Sequence, residues 1–219
     1  MKGRLQHRLA AALGLTAILL GSASCGDLVR QGKAPSFLVI DSLTGASGAK
    51  PGEFGGTLQS DVVTLDKTTF APTYFEDVGH VSLRMLIKDA GSPGADATPS
   101  AINAITVTRY HVSYRRSDGR NVQGVDVPYA FDGAITATVA TSPAEVNFAI
   151  VRIQAKVEQP LLALARAGSS IAISTIADVT FYGHDQAGND VSQTGSISIN
   201  FADWADPTSY QQAGSKAHI

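Results

Sequence analysis

The hydrophobic positions of this chain fall into short runs of period two, separated by clusters of Gly, Pro, Asp and Asn. Val81, Leu83, Met85 and Ile87 alternate with Ser82, Arg84 and Lys88. That period predicts a strand with one buried face. In the segment Asn103 to Asn121, Ile105 and Val107 share one parity, whereas Tyr110, Val112 and Tyr114 share the other. One extra residue flips the face of a strand, so a bulge near Thr108–Arg109 reconciles the two halves. Ile135, Ala137 and Val139 alternate with threonines. Ile171, Ile173, Ala177, Val179 and Phe181 form one buried face, and Ile197, Ile199 and Phe201 another. Shorter strands are expected at 37–40 and 61–65. The run 125–131 is broken by Pro128, which makes it an edge strand or none. Residues 145–157 read as a strand that changes parity near Ile150–Val151. Pro160 suits the first turn of a helix and Gly168 the position just past its end, which predicts one short helix over about 159–167. Its Leu161, Leu162 and Leu164 suit a plug over one end of the fold.

The intervening segments carry turn chemistry. Residues 45–56 hold five glycines and one proline, and 90–101 reads as a loop. Ser117-Asp118-Gly119 is a hairpin turn. About eight short strands and one helix predict an all-β fold, a single antiparallel β-sandwich over 36–205. The stretch TFYGHDQAGND, Thr180–Asp190, resembles the penultimate strand and final hairpin of immunoglobulin-like and fibronectin type III-like domains of bacterial surface proteins. The resemblance covers roughly the final third of the fold and implies an immunoglobulin-like arrangement. Asp185 can cap the turn through its side chain, and Gly188 or Asn189 can supply a positive φ. The single Trp lies near the end and there is one cysteine, so the inter-sheet disulfide of antibody domains is absent.

The N-terminus differs in kind. Lys2, Arg4 and Arg8 precede a run of apolar or small residues from Leu9 to Leu20, followed by Gly21 to Ser24. This is the order of a secretory signal, and the run is short for a membrane span of about 20 residues. Cys25, the only cysteine, stands at the expected cleavage point. Ser22-Ala23-Ser24-Cys25 resembles the lipobox of bacterial lipoproteins, in which the cysteine is lipidated and becomes the new N-terminus. The family usually has Leu where this chain has Ser22, and ordinary cleavage after Ser24 is the alternative. An unpaired thiol in an oxidising compartment is a liability that acylation removes. The resemblance implies an acylated, membrane-anchored protein, and Gly26 after the cysteine points to the outer membrane. Residues 25–35 then read as a tether, and 206–219 as a polar, flexible tail.

Charge changes the picture once the signal is set aside. Loss of residues 1–24 leaves 14 of 17 basic groups against 19 acidic ones, a net of −5. That argues against nucleic acid as a partner. The remaining 195 of 219 residues suffice for a core without disulfides.

Signatures of catalysis are missing from the sequence: no G-x-S-x-G elbow, phosphate loop, H-E-x-x-H or C-x-x-C occurs. A hydrolase would need a site assembled in space, joining His111 or His184 to a carboxylate and a serine. Asp178, Asp185, Asn189 and Asp190 gather near one hairpin and could supply calcium oxygens, though such residues more often bond the turn backbone. No metal or other cofactor is expected. Arg109, Tyr110, Tyr114, Arg115, Arg116 and Arg120 form the candidate interaction surface, because Arg and Tyr are enriched at interfaces. The alternative for this basic hairpin is a solvated strand pair whose charges block edge pairing. The sequence thus points to a non-catalytic, lipid-anchored envelope protein, structural or protein-binding, with other envelope proteins or surface glycan as partners. The alternative is a carbohydrate- or small-ligand-binding module, which a ring of exposed aromatics drawn from Tyr110, Tyr114, Tyr129 and Tyr182 would favour.

Overall fold

A computed structural model describes residues 34–88, 100–165 and 171–204. Cys25, the expected leader, most of the expected tether, Gly168 and the expected tail from residue 206 lie outside them. The described residues form an all-β sandwich. One sheet has three strands in the order β1 (Ser36–Ala46), β5 (Asp77–Ile87), β8 (Ala144–Val151). The other has five, β2 (Thr57–Asp61), β10 (Asp190–Ala202), β9 (Ile173–Asp185), β6 (Ile105–Arg115) and β7 (Phe131–Val139). Two-residue strands β3 (Thr64–Leu65) and β4 (Pro72–Thr73) pair beside them. One pairing departs from the antiparallel expectation: β2 runs parallel to β10.

The alternating positions face inward as expected. Val81, Leu83 and Met85 of β5 meet Ala177, Val179 and Phe181 of β9 and Ile197, Ile199 and Phe201 of β10 in one core. Each such side chain contributes about 1.5–3 kcal/mol on burial. Tyr110, Phe131, Phe148 and Phe181 pack edge-on or tilted at its centre, Tyr110 lying 5.0 Å from Phe148 and 6.2 Å from Phe131. The bulge in β6 sits where the parity change put it. Val107 pairs with Gly183 and Arg109 with Tyr182, leaving Thr108 unpaired. Ile105, Val107, Tyr110, Val112 and Tyr114 therefore all face the core.

Several boundaries differ from the sequence reading. Strand β1 continues past Ile40 to Ala46 because a second bulge extrudes Asp41, whose carboxylate binds Arg84 at 2.8 Å. Strand β2 ends where the second strand was expected to begin. Strand β8 stops at Val151, and the expected strand to 157 gives way to a helix, α1 (Ile153–Val157). The expected helix is shorter, α2 (Leu161–Leu164), with Pro160 just before it; Leu161 and Leu164 are buried. Among the described residues there are thus two short helices rather than one. Ile171, assigned inward by parity, precedes β9 and is 53 % exposed. Packing begins inside the expected tether: Ala34 is buried and the Lys88 N–H donates to the Pro35 carbonyl.

Helix α1 explains why β8 stops. Lys156 points inward from it and is completely buried, 2.7 Å from Asp77 at the start of β5. Its Nζ also donates to the Asp61 carbonyl at 2.8 Å, while Ser60 Oγ and the Gly48 N–H donate to Asp77. A buried charge needs such a ring of partners.

Candidate functional site

The outward face of the five-stranded sheet carries the polar residues of β6, β9 and β10 in register. Arg109 lies opposite Tyr182, which lies opposite Ser192. The next row holds Asp132, His111, Thr180 and Thr194, and the row on the other side holds Thr106, His184 and Asp190. The Arg109 guanidinium stacks 3.8 Å from the Tyr182 ring centre and reaches Asp132 Oδ1 at 3.2 Å. His111 Nδ1 meets the same oxygen at 3.2 Å. Thr180 and Thr194 hydroxyls bond each other at 2.8 Å. Beside the Arg109–Tyr182 stack is a shallow depression of about 370 Å³, floored by Gly183 and Val191 and edged by His184, Asp190 and Ser192.

This face exists because of the bulge. Without the extra residue at Thr108, Arg109 and His111 would point inward and Tyr110 outward. Gly183 completes it: a Cβ there would collide with the Thr106 carbonyl across the bulge, so only glycine allows β9 this close to β6.

The six residues of the expected interaction surface divide. Tyr110 and Tyr114 are 4 % and 6 % exposed, a correction to their placement on a surface. The physical reason is the bulge, which puts both on the core face, where the Tyr114 hydroxyl donates to the Ile150 carbonyl at 2.7 Å. Burial pushes both phenols above their ordinary range. Arg109 and Arg115 share the outer face of β6, and Arg115 binds Asp178 at 2.6 Å. Arg116 and Arg120 sit at the turn after β6 and share Asp118, at 2.7 and 3.1 Å. Hydrogen bonding from Arg116, then from Arg120, holds the Asp118 carboxyl far below its usual range. Every arginine of the group thus has an acidic partner within the chain.

The four oxygen donors considered for calcium do not converge. Asp185 Oδ1 accepts from the Ala187 and Asn189 N–H groups at 2.9 and 2.8 Å, and its Oδ2 from Asn189 Nδ2 at 2.8 Å. Burial pulls the Asp185 carboxyl up, but these bonds outweigh it and hold it below the ordinary value. Gly188 takes φ +79°, the left-handed conformation the turn requires. Asp178 is spent on Arg115 and Ser196, half a strand away. Among the described residues no three His, Cys, Asp or Glu side chains gather as for a metal.

Of the aromatic ring imagined for a sugar site, Tyr182 alone reaches this face, and Arg109 covers it. Tyr129 is exposed but packs over Gly124, in the connection between β6 and β7. The depression does bring His184, Asp190 and Ser192 together, the residue types of a hydrolytic triad. No hydrogen bond joins them, so Ser192 has no base in contact. Sequence reasoning missed Ser192 and Asp132 as members of the face, and the Lys156–Asp77 pair altogether. Strand register across β9 and β10 would have supplied Ser192, since both flank the recognised hairpin.

No protein-family model matches the chain, and no curated protein matches it in sequence.

Proposed function

We propose that the chain is a non-catalytic, lipid-anchored module of the cell envelope that binds a partner protein through the outer face of its five-stranded sheet. The observation that carries this is the Arg109–Tyr182 stack tied to Asp132 beside an open depression. Stacked Arg and Tyr, oriented by fixed partners, are the side chains that dominate protein contacts. The face also lies toward the end at which the chain enters the fold. There the Ser36 hydroxyl meets the Asn103 carbonyl, and Gln186 of the β9–β10 hairpin meets Ala104. An anchor at Cys25 and a short tether would hold this end near the membrane and raise the local concentration of envelope partners.

The test places a photo-reactive amino acid at position 192, on the face, and at position 42, on the opposite sheet, and irradiates intact envelopes. A specific protein adduct from position 192 alone is expected. Adducts to glycan alone would replace this reading with carbohydrate binding, and equal adducts from both positions would overturn the face. The anchor is tested separately by labelling with radioactive palmitate, comparing wild type with Cys25→Ala. Label confined to the wild type supports the anchor. Unlabelled soluble protein beginning at or near Cys25 removes it.

A further inference from the structure

Lys156 and Asp77 lie 79 residues apart in sequence, yet their side chains meet at 2.7 Å with neither exposed to solvent. The amine is held from its other side by the Asp61 carbonyl, 2.8 Å away. The carboxyl is held through both oxygens, Oδ1 by the Gly48 N–H at 2.9 Å and Oδ2 by the Ser60 hydroxyl. Two reacting groups are therefore fixed against each other in a dry site. We propose that Lys156 and Asp77 are joined by an intramolecular amide, a covalent staple between α1 and the first residue of β5.

The chemistry needs no other reactant. Burial pushes the Asp77 carboxyl up, against the opposing pull of Lys156, Ser60 and Gly48, which favours the protonated acid. Passage of one proton along the 2.7 Å contact turns the ion pair into neutral amine and neutral acid. The Nζ lone pair then attacks Cγ. Charge that develops on the carboxyl oxygens meets the Gly48 N–H and the Ser60 O–H, already aimed at them. An Nζ–Cγ bond forms, one Cγ–O bond breaks, and the oxygen leaves with two protons as water. Nothing is oxidised or reduced. Fixed proximity replaces a bimolecular encounter, and condensation removes two charges that are costly to bury. With the pair sealed from solvent, water has no path back to reverse it.

The staple would close a loop from β5 to α1 between residues 79 apart, as a disulfide does elsewhere. With a single cysteine the chain cannot form an internal disulfide. The exposed pairs Arg84–Asp41 and Arg115–Asp178 have comparable distances, 2.8 and 2.6 Å, but lie open to water. A guanidinium is also a poor nucleophile because it keeps its proton.

Mass spectrometry of the full chain tests this. The purified protein is denatured, digested with trypsin and compared with Lys156→Arg. The wild type should yield a branched peptide that joins residues 68–84 to residues 153–166, one water lighter than its two parts, with Lys156 uncleaved. The variant should yield the linear peptides alone. Free linear peptides from both regions in the wild type would overturn the proposal. So would a water loss that maps to Asp118-Gly119, where a succinimide is the ordinary cause. Because the wild type alone decides, failure of the variant to fold does not blunt the test.

Discussion

The molecule pairs a cation with a carboxylate in two contrasting places. On the sheet face Arg109 and Arg115 meet Asp132 and Asp178 at 3.2 and 2.6 Å, half open to water. At one end of the core Lys156 meets Asp77 at 2.7 Å with no exposure. The distances are alike and the consequences are not. Exposed pairs exchange readily with water and with a partner's groups, and each contributes about 0–1 kcal/mol. In the buried pair neither member can be lost alone, because the other would stay in the core without a partner. The face can recognise because its charged groups can change partners, and the end can hold because its two groups are locked to each other.

The comparison breaks most visibly at Lys156. Lys156→Ala leaves Asp77 buried without its counter-ion and should cost about 3–5 kcal/mol, read from the urea midpoint. Replacing both members, Asp77→Leu with Lys156→Met, should recover the part of that loss that comes from the unpaired charge and leave the part that comes from the missing cross-link. A single-variant cost below about 1 kcal/mol would place the buried pair with the surface ones.

Next in size is Gly183→Ala. The added methyl meets the Thr106 carbonyl, which is backbone and cannot swing away. A cost of about 1–3 kcal/mol is expected, together with loss of the partner adduct, because the shift displaces Arg109 from Tyr182. A variant of wild-type stability that still loses the adduct would show that Gly183 serves the face without supporting the core.

Acid should weaken the hairpin. Hydrogen bonds hold Asp185 below its ordinary value, as they do Asp66, and guanidinium partners hold Asp41 and Asp118 below theirs. A carboxylate with a depressed folded pKa adds stability above its unfolded value, about 3.9, and that stability disappears as pH falls through the folded value. Stability should therefore be level from neutral pH to about 5 and drop below about 4. Asp185→Asn should lower the neutral plateau by about 1 kcal/mol and flatten the acid limb. An unchanged limb would mean that the β9–β10 turn holds without its carboxylate.

How much of this could be read beforehand depends on the range of the interaction. The bulge at Thr108 and the cap at Asp185 were legible because each leaves its mark within a few residues: a parity flip in one case, Asp before Gly-Asn in the other. The same flip already placed Tyr110 and Tyr114 with Val112 on one face. Their assignment to the surface set composition above parity, and parity prevailed. The full length of β1 was hidden by Asp41 and Gly45, which look like a strand end but are a bulge and a close approach to Leu58. Lys156 was illegible for another reason. In the run Ile153–Val157 it looks like any solvated lysine, and what makes it structural is a carboxylate 79 residues away.

The smallest expected effect is the most informative about the face. Arg109→Ala removes the stack on Tyr182 and the pair with Asp132, both at the surface, and should change stability by no more than about 1 kcal/mol. If the face recognises a protein, the same change should abolish the adduct from position 192, because a guanidinium held flat over an aromatic ring is the anchor of the contact. Arg109→Lys sharpens the point. It keeps the charge and loses the planar fork, so it should restore stability but not the adduct. Full recovery of the adduct by lysine would reduce the role of Arg109 to charge alone. The recognition would then belong to the depression edged by His184, Asp190 and Ser192.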